Sequence, residues 1–235
     1  MIPKVIHYCW FGGNSFPALT QKCINSWKTY CPDYEIKEWN ETNFDFSGCG
    51  YAKEAYDAKK WAFVADYTRL KILVEYGGIY LDTDVEVIKP LDAFLTEKAF
   101  LGFEEDEYVA TSIMACEKDF TLFDMFLRRY DQRHFIKPDG TYDFTTNVVE
   151  ITRFLREHGL QLNNTKQTIE ALTLYPKEYF APINHETRNI ECTGNTHTIH
   201  HFAGTWRTPS LWKRCRKTLG EKKEAVFKKL SDLLT

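Results

Sequence analysis

The strongest constraint on the fold is a long helical pattern that runs through two glycines into a strand ending in two aspartates. Residues 53–76 carry apolar side chains at helical spacing, and the glycines at 77–78 tolerate the left-handed backbone of a helix C-terminus. The apolar run 79–81 predicts a strand, and Asp82 and Asp84 follow it directly. A helix that returns into a buried strand predicts an α/β protein.

The first forty residues repeat this alternation. They predict a strand at 4–10, a helix at 18–30 that begins after Pro17, and a strand at 34–39, which together form a βαβ unit. Further strands or extended segments are predicted at 85–88, 100–103, 111–116, 172–183 and 198–202, helices at 120–130, 148–158 and 211–234, and a polar loop at 131–146.

The composition is that of a globular protein with a large core. Of 235 residues, 43% are hydrophobic and 15% aromatic, which excludes a disordered chain. The length predicts one domain with an appendage, placed at residues 1–206 and 207–235. A net charge of -3 argues against nucleic acid as the partner.

Location is predicted from the cysteines and from two absent signals. The seven cysteines contain no C-x-x-C pair, so we expect reduced thiols in a cytoplasmic protein. We also expect neither an export signal nor a membrane span, since no apolar run is long enough.

The C-terminal segment 207–229 is strongly basic, with nine Lys or Arg against two Glu. One interpretation is an amphipathic helix in peripheral contact with an anionic inner membrane. The other, which we prefer, is a solvated basic face whose apolar stripe packs on the core.

The pair Asp82 and Asp84 is the clearest candidate for chemistry. Alternation along an extended chain predicts that both carboxylates face one side and address one divalent cation. Hard carboxylate ligands favour Mn²⁺ or Mg²⁺ and leave coordination positions for a diphosphate. The alternative is an acidic loop that serves solubility.

Two further groups of residues have both a ligand interpretation and a structural one. Asp66 and Arg69 share one face of an apolar helix, so they are predicted to pair with each other or to bind a ligand. His197, His200 and His201 cluster near the C-terminus, and only one of the two adjacent histidines can face inward. An imidazole there is a good ligand for Mn²⁺ or a structural side chain.

Residues 61–84 resemble the signature of the sugar-transferase family with a D-x-D motif, glycosyltransferase family 32. That family includes capsular polysaccharide glycosyltransferases and initiating mannosyltransferases, and it is similar to the glucosylating domain of large clostridial toxins. Residues 2–13 resemble its first strand, and residues 201–204 resemble an H-x-x-G segment of related retaining transferases. The resemblance covers about the first 90 residues and a short C-terminal patch.

The resemblance implies a GT-A type, Rossmann-like nucleotide-sugar-binding fold with a mixed central sheet flanked by helices. It implies a retaining, metal-dependent enzyme that transfers a hexose or N-acetylhexosamine to a saccharide or lipid-linked saccharide acceptor. The role expected is capsular or other surface polysaccharide synthesis. A UDP-sugar is the favoured donor, GDP-mannose is the alternative, and Mn²⁺ or Mg²⁺ is the cofactor.

The resemblance also implies roles for individual residues at the metal. Asp84 resembles the direct metal ligand, and Asp82 resembles the residue that reaches the donor as well as the metal. His201 fits the remaining metal ligand better than His200, because His201 has the right spacing to Gly204.

The donor-binding residues implied are spread along the chain. Asp66 and Arg69 match positions that hold hydroxyls of the donor sugar, and Arg69 joins Asp82 and Asp84 as a catalytic candidate. Trp10 matches a base-stacking aromatic ring, and Trp206 a tryptophan that closes over the diphosphate. Asn147 lies beside the sugar ring in one interpretation and caps a helix in the other.

Two other classes of protein compete with the transferase. A phosphohydrolase of the haloacid-dehalogenase type also uses a D-x-D at a strand end, with the first Asp as nucleophile. Here the motif is far from the N-terminus, and no paired aspartates follow downstream. The other alternative is a carbohydrate-binding protein without catalysis.

Overall fold

The computed structural model describes residues 1–105, 107–184, 187 and 189–204. The chain divides into two units, Met1–Phe202 and Ala203–Thr235. Only Ala203 and Gly204 of the second unit are described. The predicted basic helix and the predicted boundary after residue 206 lie outside the described residues.

A seven-stranded mixed sheet forms the centre of the first unit, in the order β2-β1-β3-β6-β5-β8-β7. The strands are β1 (Val5–Cys9), β2 (Glu35–Trp39), β3 (Gly78–Leu81), β4 (Val85–Val87), β5 (Ala99–Glu105), β6 (Tyr108–Cys116), β7 (Gln167–Ile169), β8 (Leu172–Tyr175) and β9 (Thr198–His200). The pairs β1–β2, β1–β3 and β5–β8 are parallel, and β3–β6, β5–β6 and β7–β8 are antiparallel. Strands β4 and β9 form a separate antiparallel ribbon.

Helices cover both faces of this sheet, which confirms the predicted architecture. The helices are α1 (Ala18–Tyr30), α2 (Gly50–Asp57), α3 (Trp61–Tyr76), α4 (Thr121–Arg128) and α5 (Asn147–Glu157). Side chains of α2 to α5 pack on one face, and those of α1 on the other. Along β3, the side chain of Tyr80 packs in the hydrophobic core beneath α2 to α5, while those of Ile79 and Leu81 pack in the core beneath α1. Strand β3 is therefore buried on both sides.

Among the described residues, the largest differences from the sequence predictions are at three places. Helix α1 has the predicted bounds, but the single helix expected at 53–76 is two helices, because Lys59 adopts a left-handed backbone with φ of 56°. Strand β7 was not predicted, because three residues are too short for a periodic pattern. The extended segment expected at 172–183 ends at Pro176, which lacks the N–H needed to continue a ladder.

The glycines between α3 and β3 are required by close packing. Gly78 has φ of 102°, and a Cβ atom there would lie 2.8 Å from the carbonyl oxygen of Val5 and 2.9 Å from Nε2 of His7. A larger residue would push β3 away from β1 and displace the aspartates that follow. None of the helices in the described ranges is both long and apolar enough to cross a membrane.

Candidate active site

Asp82 and Asp84 lie in a tight turn between β3 and β4. The N–H of Val85 donates to the carbonyl oxygen of Asp82 at 3.0 Å, and the N–H of Asp82 donates to the carbonyl oxygen of Ser112 at 2.8 Å. The two carboxylates are therefore brought together by a turn, where sequence reasoning had expected the alternation of an extended strand.

Strand β9 brings His200 to this turn, because His200 is the register partner of Val85. Nε2 of His200 lies 3.4 Å from Oδ1 of Asp84. One carboxylate oxygen from each of Asp82 and Asp84 and one ring nitrogen of His200 all lie within 4.8 Å of one another. Three groups from two distant parts of the chain thus converge on one point.

The environment of His200 is electrically negative and lacks one hydrogen bond. Burial alone would lower the pKa of His200, but the carboxylates of Asp84, Glu104 and Asp82 outweigh it and raise that pKa. Nδ1 of His200 is buried and has no hydrogen-bond partner among the described residues. Two carboxylates and an imidazole, one of whose nitrogens has no hydrogen bond, fit a divalent cation such as Mn²⁺.

The second part of the site is a buried charge network around Arg69 of α3. Its Nη2 lies 3.0 Å from Oδ1 of Asp66, and its Nη1 lies 3.3 Å from Oδ1 of Asp82. Nη1 also donates to the carbonyl oxygen of Thr111 at 2.7 Å, and Nε donates to that of Ala65 at 3.2 Å. The guanidinium therefore links α3 to the strand ends and fixes both carboxylates.

Asp66 is held from two sides and is strongly buried. Burial raises the pKa of Asp66 to about 6, against the opposing charge of Arg69. The backbone N–H of Asn147 donates to Oδ2 of Asp66 at 3.2 Å, and its side-chain amide donates to the Asp66 carbonyl oxygen at 3.4 Å. Asn147 is the first residue of α5 and Thr146 occupies the cap position, so the N-terminus of α5 points at Asp66.

Sequence reasoning missed Tyr80, which completes this network. Its hydroxyl donates to Oδ1 of Asp82 at 2.9 Å, and the Arg69 guanidinium carbon lies 4.7 Å from its ring centroid. The available signal was spacing, since a strand residue two positions before Asp82 faces the same side.

His201 does not join the two aspartates. Its Nε2 lies 2.8 Å from Oε2 of Glu86. The preference for His201 over His200 therefore differs from the geometry, because strand alternation turns His200 inward and His201 outward. Which histidine binds a metal stays a prediction, now placed on His200. His197 bonds to the carbonyl oxygen of Pro90 at 2.8 Å, a structural contact.

The two tryptophans predicted to bind the donor differ in what is described. Trp10 follows β1 at the same sheet edge as Asp82, its indole N–H donates to the carbonyl oxygen of Asn14 at 2.6 Å, and its ring packs edge-on against Phe16. Its role in base stacking stays a prediction. Trp206 lies outside the described residues.

Comparison with known proteins supports a glycosyltransferase. Residues 17–101 match the family model described as glycosyltransferase sugar-binding region containing DXD motif. The chain is 29% identical to an uncharacterized glycosyltransferase of Acanthamoeba polyphaga mimivirus, over 97% of this chain and 91% of that protein.

A second sequence relative and one solved structure extend this result. Inositol phosphoceramide mannosyltransferase 1 of Schizosaccharomyces pombe is 27% identical over 47% of this chain, and the match spans only 39% of the yeast protein. The PaToxG glycosyltransferase shares the fold, with a TM-score of 0.50, 18% identity, and coverage of 66% of this chain and 69% of that one.

The fold and the acidic turn together define a glycosyltransferase of the GT-A type. Within that class, the chain is similar to the sugar transferases with a DXD motif, and the matched region contains the sequence Asp82-Thr83-Asp84.

Proposed function

We propose that the protein is a metal-dependent, retaining glycosyltransferase that uses a nucleotide-sugar donor. The observation that carries this proposal is the convergence of Asp82, Asp84 and His200 within 4.8 Å at the end of β3. Ligands of open α/β sheets bind at such strand ends. The DXD family match supports a donor that carries a sugar on a diphosphate.

Asp82, Asp84 and His200 would hold Mn²⁺ or Mg²⁺. When bound, this cation stabilises the negative charge that develops on the diphosphate leaving group. The three side chains themselves provide a site with few protein ligands, which leaves room for diphosphate oxygens.

Arg69 acts in this proposal by orienting two carboxylates. Its donor groups already bond to Asp66, Asp82 and backbone carbonyl oxygens, so it holds Asp66 and Asp82 in fixed directions. Asp66 then accepts a hydrogen bond from a hydroxyl of the donor sugar, while Arg69 keeps its carboxylate ionised. Fixed acceptors of this kind select and align the sugar.

The proposed donor is based on the position of Trp10 and on the name of the yeast relative. Trp10 at the sheet edge supplies a ring for a nucleobase, and a UDP-sugar remains the favoured donor. The name of the yeast relative makes GDP-mannose the alternative to test. We further propose a saccharide acceptor, whose hydroxyl transfers its proton to the departing diphosphate, and a cytoplasmic role in surface polysaccharide synthesis.

The experiment is a donor panel assayed by release of free nucleoside diphosphate. UDP-glucose, UDP-galactose, UDP-N-acetylglucosamine and GDP-mannose are each incubated with the protein, with and without Mn²⁺. Asp84→Ala is compared with Asp92→Ala, a surface aspartate paired with Lys4 at 2.7 Å. Metal-dependent release from one donor, lost only in Asp84→Ala, is expected.

Two results would contradict the proposal. One is the absence of binding and turnover for every donor, which would favour a carbohydrate-binding protein. The other is phosphate release from p-nitrophenyl phosphate that disappears in Asp82→Asn, which would favour a phosphohydrolase.

A further inference from the structure

Lys22, Glu86 and His201 form a partly buried cluster that the candidate metal site does not use. One carboxylate oxygen, Oε2 of Glu86, lies 2.6 Å from Nζ of Lys22 and 2.8 Å from Nε2 of His201. The side chains of Glu86 and His201 are only 17% and 18% exposed. Three separate segments, α1, β4 and the end of β9, therefore meet at a single carboxylate.

The β4–β9 ribbon that carries His200 is too short to hold itself in place. It contains three residue pairs, and an isolated two-stranded ribbon is marginally stable. Helix α1 supports β4 directly, because the indole N–H of Trp27 donates to the Val85 carbonyl oxygen at 2.8 Å and the N–H of Val87 donates to Oγ of Ser26 at 2.9 Å. Strand β4 is thus a fixed platform for β9.

Glu86 extends this support to the two histidines. Adjacent residues at the end of a strand point to opposite sides. Because His201 is held outward by Glu86, the neighbouring His200 is directed inward to Asp84. The backbone N–H of His201 also donates to the carbonyl oxygen of Asp84 at 3.0 Å, which sets the spacing of the ribbon at this point.

The strained residue Phe202, directly after His201, indicates why the end of β9 needs stabilising contacts. Phe202 has a φ of 50°, in the left-handed region where the Cβ atom of an L-residue lies too close to the following carbonyl oxygen. Such residues persist where surrounding contacts over-determine them, and they cluster at functional sites. The Phe202 ring lies 3.8 Å from that of His200 between centroids, so a relaxed turn would also move His200.

We propose that Glu86 is a positioning residue for the metal ligand His200, acting through His201 and supported by Lys22. This inference rests on the proposed function, because it takes the Asp82, Asp84 and His200 site to bind a divalent cation. Glu86 and His201 do not contact the cation; they fix the strand that presents His200 to it.

The test measures Mn²⁺ affinity in the purified full chain, by the loss of the free Mn²⁺ signal in electron paramagnetic resonance. His200→Ala is expected to abolish binding. Glu86→Ala and His201→Ala are each expected to weaken it about tenfold, the low end for partners that orient a ligand. The double variant is expected to bind Mn²⁺ no more weakly than either single variant, since both changes remove the same contact between Glu86 and His201.

Two controls separate positioning from folding and from charge. Glu117→Ala breaks a comparable pair with Lys98 at 2.8 Å and one with the N-terminal amine at 3.3 Å, and it is expected to leave the affinity unchanged. Glu117 follows Cys116, which pairs with Gly78 at the end of β3 opposite to Asp82. Glu86→Gln removes the charge but keeps an oxygen that accepts from His201, so it is expected to stay within about threefold of the wild type. Thermal unfolding of each variant shows that it is folded at the assay temperature.

Failure of the positioning role and failure of the metal site give different results in this test. Unchanged affinity in Glu86→Ala and His201→Ala, with binding lost in His200→Ala, would overturn the positioning role and leave the metal site intact. An additive loss in the double variant would also overturn it, because the two residues would then act independently. Unchanged affinity in both His200→Ala and Asp84→Ala would overturn the metal site itself.

Discussion

Two histidines differ in how their ring nitrogens are bonded: the buried His7 near the start of the chain and the partly buried His200 near the end of the described residues. In β1, Nε2 of His7 donates to the Gly77 carbonyl oxygen at 2.9 Å, and its Nδ1 accepts from the indole N–H of Trp39 at 3.1 Å. At the end of β9, His200 has one buried nitrogen, Nδ1, without a described partner, and its Nε2 lies 3.4 Å from Oδ1 of Asp84. Both ring nitrogens of His7 are bonded, as expected of a structural histidine, whereas the unbonded nitrogen and the neighbouring carboxylates of His200 agree with the ligand role proposed for it.

The pKa values of the two rings move in opposite directions, although burial acts to lower both. Burial lowers the pKa of His7 to about 4 against the opposing effect of its hydrogen bond to Gly77, and the positive charge of Lys37 lowers that pKa further. Burial acts on His200 too, but the nearby carboxylates reverse it and raise the pKa. A site that attracts a proton against burial also attracts a metal cation.

The largest expected effect is the loss of activity when His200 is replaced. His200→Ala is expected to lower metal-dependent release of nucleoside diphosphate by a hundred- to a thousandfold, about 3–4 kcal/mol, because the cation that stabilises the leaving group loses a ligand. His134→Ala, at an exposed histidine, is the control and should leave release unchanged. Full activity in His200→Ala, with activity lost in His201→Ala, would return the ligand role to His201.

The second prediction concerns pH and the stability of His7. Its pKa is about 6.5 in the unfolded chain and about 4 in the folded protein, so the unfolded state binds more protons between these values. The contribution of His7 to the free energy of unfolding is therefore complete above pH 6.5 and is lost as the pH falls towards 4. The difference between a pKa of 6.5 and one of about 4 limits this loss to at most about 3.4 kcal/mol.

This pH dependence is measured by urea unfolding at pH 7, 6, 5 and 4.5 in the wild type and in His7→Gln. The glutamine side chain does not titrate, so its stability should fall less over this range, and the difference between the two curves reports His7. His134→Gln should follow the wild type. Parallel curves for the wild type and His7→Gln would contradict the prediction, because they would mean that folding leaves the pKa of His7 unchanged.

The third prediction uses metal binding as a readout of stability. A cation that binds only the folded state raises the free energy of unfolding by about 2.7 kcal/mol at a hundred times its dissociation constant. Mn²⁺ is therefore expected to raise the melting temperature of the wild type and of His7→Gln, and not that of His200→Ala. Equal stabilisation of all three by Mn²⁺ would place the binding site away from His200.

The same contrast explains what the sequence can and cannot predict. The architecture and the two aspartates follow from local pattern, because the helix at α3, the glycines and the apolar run of β3 are contiguous. The choice between His200 and His201 does not, because it depends on the register of β9 with β4, more than a hundred residues earlier in the chain. The network of Arg69 with Asp82 and Thr111 depends equally on distant strand pairing.

The smallest expected effect tests whether His7 is structural because its hydrogen bonds are complete. Trp39→Phe keeps most of the buried ring but removes the N–H that donates to Nδ1 of His7, leaving that nitrogen buried and unsatisfied. The cost is expected to be about 1–2 kcal/mol of unfolding free energy, measured in urea at pH 7. Activity should not change, since Trp39 lies outside the candidate site. A drop in Mn²⁺ affinity in this variant would mean that the two histidine environments are coupled through the sheet, and the comparison between them would fail.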